Sequence, residues 1–495
     1  MSNYFKLQNG SDVRGVALEG IPGEKVNLTK KETYYMAISF AQWLSKKTNK
    51  ETSTLTISIG CDSRLSADDL KLGIFSGLSS LGIKVLDCGI TSTPSVFMST
   101  IFEGSQADAG IMITASHLPF NKNGMKFFTK DGGLNKTDIK SLLTSIDETV
   151  EYREGTKTVE PFDLVSTYSN HIVQIIKQST GMEKPLQGMK IIVDAGNGAG
   201  GFFAEKVLQV LGADTKGSQF LNPDGTFPNH IPNPEDNDAI HSIINATLEQ
   251  KADLGIIFDT DVDRAAVIDE NGKAINRNTL IALMSAITLE ENPGATIVTD
   301  SVTSDGLASF IDSLGGKHHR YRRGYKNVID ESVKLNKEGI LSTLAIETSG
   351  HGAFKENHFL DDGAYIVTKI LIKFAKLAAE GKKISDLIAN LVEPKDEVSI
   401  RVKIDLSDFT QYGKQILNDF EKLMNEDQRF SIISPNYEGI RVNYTLPSGN
   451  GWILVRMSLH DPVIPINMES TDQDGCKDAF TFIKNFLASY DKLIF

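Results

Sequence analysis

Residues 252–269 read ADLGIIFDTDVDRAAVID. The run LGIIF has the uninterrupted apolar character of a strand buried on both faces, and Asp259, Asp261 and Asp263 follow it at alternate positions. Open α/β sheets keep their chemistry at such strand ends, where polar residues leave the sheet. Three carboxylates so spaced repel one another unless a cation compensates them, and hard divalent cations take oxygen ligands. An EF-hand is excluded: Glu270 falls at the twelfth loop position, but Arg264 stands at the sixth, where the sharp turn needs glycine. A solvated acidic turn is the alternative reading, and the apolar strand before it argues against that.

Working outward, apolar strand-like runs alternate with helix-period stretches, the pattern of α/β domains. The spacing predicts strands over residues 55–60, 82–89, 109–114, 189–196, 252–259 and 295–300, and helices over 136–151 and 362–381. GCDSRLSADDL (60–70) and DAGNGAGGFFAEKVL (194–208) each read as strand, polar turn and helix. After residue 393 the character changes. SIRVKID (399–405), YEGIRVNYT (437–445) and GWILVRMS (451–458) alternate in the manner of an antiparallel sheet. The expected fold class is α/β, with three consecutive mixed α/β domains over 1–160, 161–273 and 274–392 and an α+β domain over 393–495.

The composition is that of an ordinary globular protein large enough for several cores: 495 residues, 40% hydrophobic and 23% charged. A net charge of −13 argues against nucleic acid as a partner, although the cluster KHHRYRR (317–323) can still serve a phosphate group locally. Cys61, Cys88 and Cys476 fall in no metal or disulfide spacing, and Cys61 and Cys88 read as core thiols. No segment approaches the roughly 20 apolar residues that span a membrane, and the first residues lack a signal-peptide pattern, so the expected location is the cytoplasm.

Three further loops carry chemistry. AGIMITASHLPFNKNGMKFF (109–128) brings Ser116, His117 and Lys126 behind a buried strand. Three protein oxygens do not complete an octahedral magnesium site; a phosphoserine at 116 would add an oxygen ligand and a transferable phosphoryl group. A polar strand end is the alternative for this stretch alone. IETSGHGAF (346–354) sets Glu347, Ser349 and His351 at alternate positions among glycines, suited to converging on hydroxyl groups. GWILVRMSLHDP (451–462) ends a strand with Arg456, Ser458 and His460, where a guanidinium can grip phosphate with two hydrogen bonds.

In this order, over nearly the whole chain, the four loops resemble the α-D-phosphohexomutase superfamily, most closely its phosphoglucomutase/phosphomannomutase members. TASHLP matches the family's phosphoserine loop, DTDVDR its metal loop, ETSGH its sugar loop and RMS its C-terminal phosphate loop. The resemblance implies four domains around a central active-site cleft. It also implies interconversion of hexose 1-phosphate and hexose 6-phosphate, for glucose or mannose, through a hexose 1,6-bisphosphate. Ser116 would pass the phosphoryl group, and Mg²⁺, one per chain, would be held by Asp259, Asp261, Asp263 and the Ser116 phosphate.

Lys126 matches the family's proton-transfer lysine, and Arg14, His117 and Arg264 match positions that line the reaction centre. Arg64 matches a motif that serves either structure or reaction. Glu347, Ser349 and His351 would bind the sugar, Gly324 and Lys326 would meet the substrate, and Arg456, Ser458 and His460 would hold the distant phosphate. Glucose 1,6-bisphosphate is the implied activator. The implied partner is a phosphosugar, with neither nucleic acid nor membrane, for a monomer or homodimer.

Two departures stand out. Leu118 replaces a common asparagine, and RMSLHDP carries Leu459, His460 and Asp461 where relatives keep small or polar groups. His460 is read as a replacement donor, which would weaken phosphate binding at high pH. The alternatives are a phosphoglucosamine mutase, a phosphosugar-binding or regulatory relative of weak activity, and a magnesium-dependent phosphatase.

Overall fold

A computed structural model describes residues 4–458 and 461–494. The chain forms two compact units: residues 1–276 with 349–384, and residues 277–348 with 385–495.

The first unit holds two sheets. In one, Ala109–Ile113, Thr56–Cys61 and Lys84–Ile90 run parallel, and Lys122–Thr129 and Asp12–Val16 extend it antiparallel. All of Ala109–Ile113 is buried, as the apolar run requires. Helices Lys30–Thr48 and Ala67–Ser80 pack on this sheet. Thr29 and Glu32 cap the first of them reciprocally, satisfying amides that the helix leaves open. The two helices approach closely because position 73 is glycine: a Cβ there would lie 2.1 Å from the Lys30 carbonyl oxygen.

The second sheet pairs Leu254–Phe258 in parallel with Ile191–Asp194 and antiparallel with Ala265–Asp269. Phe258 faces Ala265, so residues 259–264, DTDVDR, form the loop of a hairpin. Each expected strand is present within a few residues. The helix expected over 136–151 is shorter, Lys136–Thr144. Beyond it Asp147 accepts from the amide and hydroxyl of Thr149, and the hydroxyls of Tyr34 and Tyr35 donate to the carbonyls of Glu151 and Val150. These bonds satisfy the backbone outside a helix. Residues 203–208 form one π-helical segment after a short 3₁₀ turn in place of a regular helix.

The second unit has parallel strands Lys317–Arg320, Thr296–Thr299 and Ser342–Ile346, with helix Tyr325–Lys337 packed on them. Its last hundred residues form a six-stranded antiparallel sheet, from Phe430–Ile432 through Ile440–Leu446, Gly449–Val455, Val463–Ser470 and Asp396–Ile404 to Leu493–Ile494. Helices Thr410–Glu426 and Lys477–Leu487 bury their apolar faces in its core. Of this sheet the sequence reading missed Val463–Ser470 and the short edge strands Phe430–Ile432 and Leu493–Ile494. All three cysteines are free and buried, and burial pushes the thiols of Cys61 and Cys88 up to about 12.

Candidate active site

In the first unit the strand Ala109–Ile113 ends at Thr114, and Ser116 sits in the turn beyond it with φ +52°. That left-handed backbone is costly for a serine and persists only where its surroundings fix it. Two groups do so. Thr114 Oγ1 accepts from the Ser116 amide at 2.8 Å and donates to Asp62 at 2.7 Å. The buried guanidinium of Arg64 donates to the carbonyls of Ser116, Leu118, Pro119 and Lys122 and is paired with Asp62. Arg64 therefore acts on the serine loop through its backbone.

Ser116 Oγ points at the DTDVDR hairpin, 3.3 Å from Arg264 Nη2 and 3.4 Å from Asp259 Oδ2. Arg264 also donates from Nε and Nη2 to Asp259, from Nη1 to Asn233 and from Nη2 to His117 Nδ1 at 2.8 Å. Accepting at Nδ1 requires a lone pair there, so His117 meets the arginine as a neutral imidazole. Gly363 packs directly under this arginine, where a Cβ would fall 2.6 Å from the Arg264 carbonyl carbon.

Asp259, Asp261 and Asp263 are all buried, and each can bring a carboxylate oxygen within 4.8 Å of the others. Between Asp261 and Asp263, Val262 has φ +67°, a strained conformation for a β-branched residue. Asp261 Oδ2 accepts from Thr93 Oγ1 at 2.5 Å and from Lys126 Nζ at 3.2 Å, and Lys126 also donates to Asp263 Oδ2. The remaining oxygens, Asp261 Oδ1 and Asp263 Oδ1, are buried with no hydrogen-bond donor.

A buried carboxylate oxygen without a donor is costly, and two of them beside a third carboxylate suit a hard divalent cation. The residues present therefore fit a hard divalent cation. Burial, with Asp263 close by, pushes the Asp259 carboxyl well above the usual range. Burial acts the same way on Asp263, but the cations of Lys126 and Arg264 outweigh it and hold that carboxyl well below.

Arg14, on the strand Asp12–Val16, donates to the Thr114 carbonyl and pairs with Asp12 at 2.9 Å, beside the root of the serine turn. His351 lies against the same hairpin: its backbone bridges to Arg264, Nδ1 shares a hydrogen with Ser349 Oγ at 2.8 Å, and Nε2 is 3.7 Å from both Asp263 and Asp361. Burial keeps this imidazole neutral, with its pKa down at about 3. Ser116, His117, Lys126, Arg14, Arg264, Ser349, His351 and the three aspartates thus share one compact unit.

The remaining expected residues belong to the second unit. Glu347 follows the strand Ser342–Ile346, and its Oε1 accepts from the Gly324 amide at 2.6 Å. Gly324 has φ +116° ahead of helix Tyr325–Lys337, and Lys326 pairs with Asp330 at 3.0 Å. Arg456, buried at the end of the strand Gly449–Val455, lies 3.7 Å from Glu438, and its Nε has no hydrogen-bond partner. Ser458 Oγ accepts from the Asp461 amide at 3.2 Å. His460 and Leu459 lie outside the described residues.

Sequence reading missed Thr93, Asp62, Asn233 and Glu438, all of which touch these groups through side chains. The Ser-Thr-Pro of residues 92–94, an N-cap before a proline at the first turn of a helix, is the one signal that marks Thr93 as fixed.

Known proteins resemble this chain in sequence and in fold. Models of the phosphoglucomutase/phosphomannomutase α/β/α domains match residues 6–153 (domain I), 166–272 (domain II) and 276–394 (domain III). A phosphoglucomutase of Neisseria meningitidis serogroup A is 30% identical over 481 residues, 96% of each chain. A phosphomannomutase/phosphoglucomutase of Pseudomonas aeruginosa is 28% identical, over 91% of this chain and 92% of its own. A solved phosphoglucomutase/phosphomannomutase family protein from Burkholderia thailandensis superposes with a TM-score of 0.78 at 25% identity, over 98% of both chains.

Proposed function

The chain belongs to the phosphoglucomutase/phosphomannomutase family of the α-D-phosphohexomutase superfamily and is a phosphohexomutase, and on that premise we propose that it works through a phosphorylated Ser116. The observation that carries the reading is the approach of Ser116 Oγ to Arg264 and to a hairpin of three buried aspartates with two unpartnered oxygens.

The reaction has two halves. The 6-hydroxyl oxygen of a hexose 1-phosphate attacks the phosphoserine phosphorus, the bond from phosphorus to Ser116 Oγ breaks, and a hexose 1,6-bisphosphate forms. After the sugar turns over, Ser116 Oγ attacks the phosphorus at position 1, and hexose 6-phosphate leaves. In each half the amine of Lys126 takes the proton of the attacking hydroxyl and passes it to the oxygen that leaves, Ser116 Oγ in the first half and the sugar oxygen at position 1 in the second. Arg264, Arg14 and His117 orient the phosphoryl oxygens, and in-line positioning of this kind is most of what phosphoryl transfer requires. Asp259, Asp261, Asp263 and the phosphate of Ser116 would hold one Mg²⁺, which when bound neutralises charge on the transferring group.

In the second unit Glu347, with Gly324 and Lys326, would meet the sugar, and Arg456, Ser458 and His460 its distant phosphate; Ser349 and His351 would complete the sugar loop. The reading takes glucose and mannose phosphates as substrates and glucose 1,6-bisphosphate as activator. It further divides the chain into domains at about residues 160, 273 and 392 and assigns it to the cytoplasm as a monomer or homodimer. Among the described residues no helix is long and apolar enough to cross a membrane.

The test is a coupled assay of the purified protein with glucose 1-phosphate or mannose 1-phosphate, Mg²⁺ and trace glucose 1,6-bisphosphate. Formation of the 6-phosphates is expected. Release of inorganic phosphate without isomerisation would select a phosphatase instead.

A further inference from the structure

Glu438 stands between two strands of the C-terminal sheet, Phe430–Ile432 and Ile440–Leu446, and only 9% of its side chain is exposed. Its Oε2 accepts from the hydroxyl of Ser301 and from the amide of Arg323 at 3.1 Å. Its Oε1 lies 3.7 Å from Arg456 Nη1. One carboxylate thus touches the turn after the strand Thr296–Thr299, the loop before helix Tyr325–Lys337 and the arginine at the end of Gly449–Val455.

The same loop continues the network. The Gly324 amide, next to that of Arg323, donates to Glu347. Arg323 Nε lies 3.8 Å from Asp300, which accepts from Thr348 Oγ1 at 2.7 Å. The residues read as sugar-binding and as phosphate-binding are therefore joined inside the second unit through consecutive amides, 323 and 324, each held by a buried glutamate.

We propose that Glu438 is a positioning residue for substrate binding, fixing the 322–324 loop and the Arg456 guanidinium so that sugar and distant phosphate are met at a set separation. The inference rests on the reading of Arg456 as the phosphate-holding arginine. A buried carboxylate that accepts two hydrogen bonds is held in one orientation, so the arginine beside it has a fixed counter-charge and loses less rotamer freedom when phosphate arrives. The Nε of Arg456, buried without a partner, is the donor such an anion would meet. Glu438 holds Ser301, Arg323 and Arg456 alike in ground and transition states, so its removal acts on uniform binding, which appears in KM and not in kcat.

The experiment compares Glu438→Ala, Glu438→Gln and Arg456→Ala in the full chain, by steady-state kinetics with glucose 1-phosphate and by competitive inhibition with inorganic phosphate. Glu438→Ala is expected to raise KM and the phosphate inhibition constant about tenfold and to leave kcat within threefold. Glu438→Gln, which keeps an acceptor for Ser301 and Arg323, should recover most of that loss. Arg456→Ala should raise both constants further. If Arg456→Ala raises them and Glu438→Ala leaves them within twofold, the positioning role fails and the reading of Arg456 stands; if Arg456→Ala changes neither, both fall. Should Glu438→Ala not fold, Ser301→Ala removes one of the two donors and is expected to raise KM about threefold; an unchanged KM there overturns the proposal.

Discussion

Arg64 donates from Nη2 to the carbonyl oxygen of Ser116, and with its other hydrogens it ties down the backbone from Leu118 to Lys122. The side chains of Arg64 and Asp62 are both fully buried. Removing one member of a buried pair leaves the other uncompensated, at a cost of about 3–5 kcal/mol. Arg64→Ala should lower the free energy of unfolding by about that amount and kcat at least tenfold. Arg64→Lys keeps the charge without the planar fork and should recover only part of either. Urea denaturation and turnover check this, and wild-type turnover by Arg64→Ala would contradict it.

Most of the site was legible because its residues fall where apolar strands end. LGIIF and AGIMI announce buried strands, and the polar groups behind them sit in the turns that follow. What the sequence concealed is of three kinds. Thr93 and Asn233 reach the site only through folding, across long separations in sequence, and the motif match named Arg64 without showing that it holds the serine loop through its carbonyls. The strand Val463–Ser470 was hidden by Pro465, since proline argues against a central strand; its carbonyl still accepts from the Arg456 amide. The helix from Lys136 keeps its apolar period past residue 144, but Asp147 and two tyrosine hydroxyls take its backbone out of register.

Glu469 gives a pH dependence to stability. Burial and the nearby Glu397 raise its carboxyl to about 7, against the opposing effects of Arg441 and the Trp452 indole, which donates at 2.9 Å. The folded state thus holds a proton that the unfolded state releases at about 4.3. Stability is greatest below that value, falls as pH rises toward 7 and levels off above it, a loss on the order of 3 kcal/mol. Glu469→Gln, still able to accept from Trp452, should remove this slope and raise the melting temperature at pH 8. A wild-type curve of melting temperature against pH that matches the variant's would contradict it.

The hydroxyl of Tyr168 reaches both oxygens of Asp362 at 2.8 Å, and Asp362 also caps helix Gly363–Ala379 by accepting from the Tyr365 amide. Burial lifts this carboxyl to about 6 despite those bonds. Tyr168→Phe should cost about 1–3 kcal/mol by leaving a buried acceptor short of a donor, and Asp362→Ala should cost more through the lost cap. Chemical denaturation measures both. Equal midpoints for Tyr168→Phe and wild type would show that the bond is dispensable.

The unpartnered oxygens of Asp261 and Asp263 predict a stability response to metal. Mg²⁺ should raise the melting temperature of the chelator-treated protein, because an ion bound only by the folded state shifts the equilibrium toward it. Chelation should also abolish turnover until Mg²⁺ is restored. Asp261→Asn should weaken Mg²⁺ at least tenfold and nearly remove the thermal shift. A shift of the same size in Asp261→Asn would place the ion elsewhere.

The central claim is that Ser116 carries the phosphoryl group, and its most direct test is covalent. The protein is incubated with glucose 1,6-bisphosphate labelled in its phosphates and Mg²⁺, then digested and sequenced by mass spectrometry. The account predicts label on the peptide containing Ser116, discharged by glucose 1-phosphate or glucose 6-phosphate, and none in Ser116→Ala, whose turnover falls at least a thousandfold. Label on another residue, or a Ser116→Ala enzyme within tenfold of wild-type turnover, would contradict it.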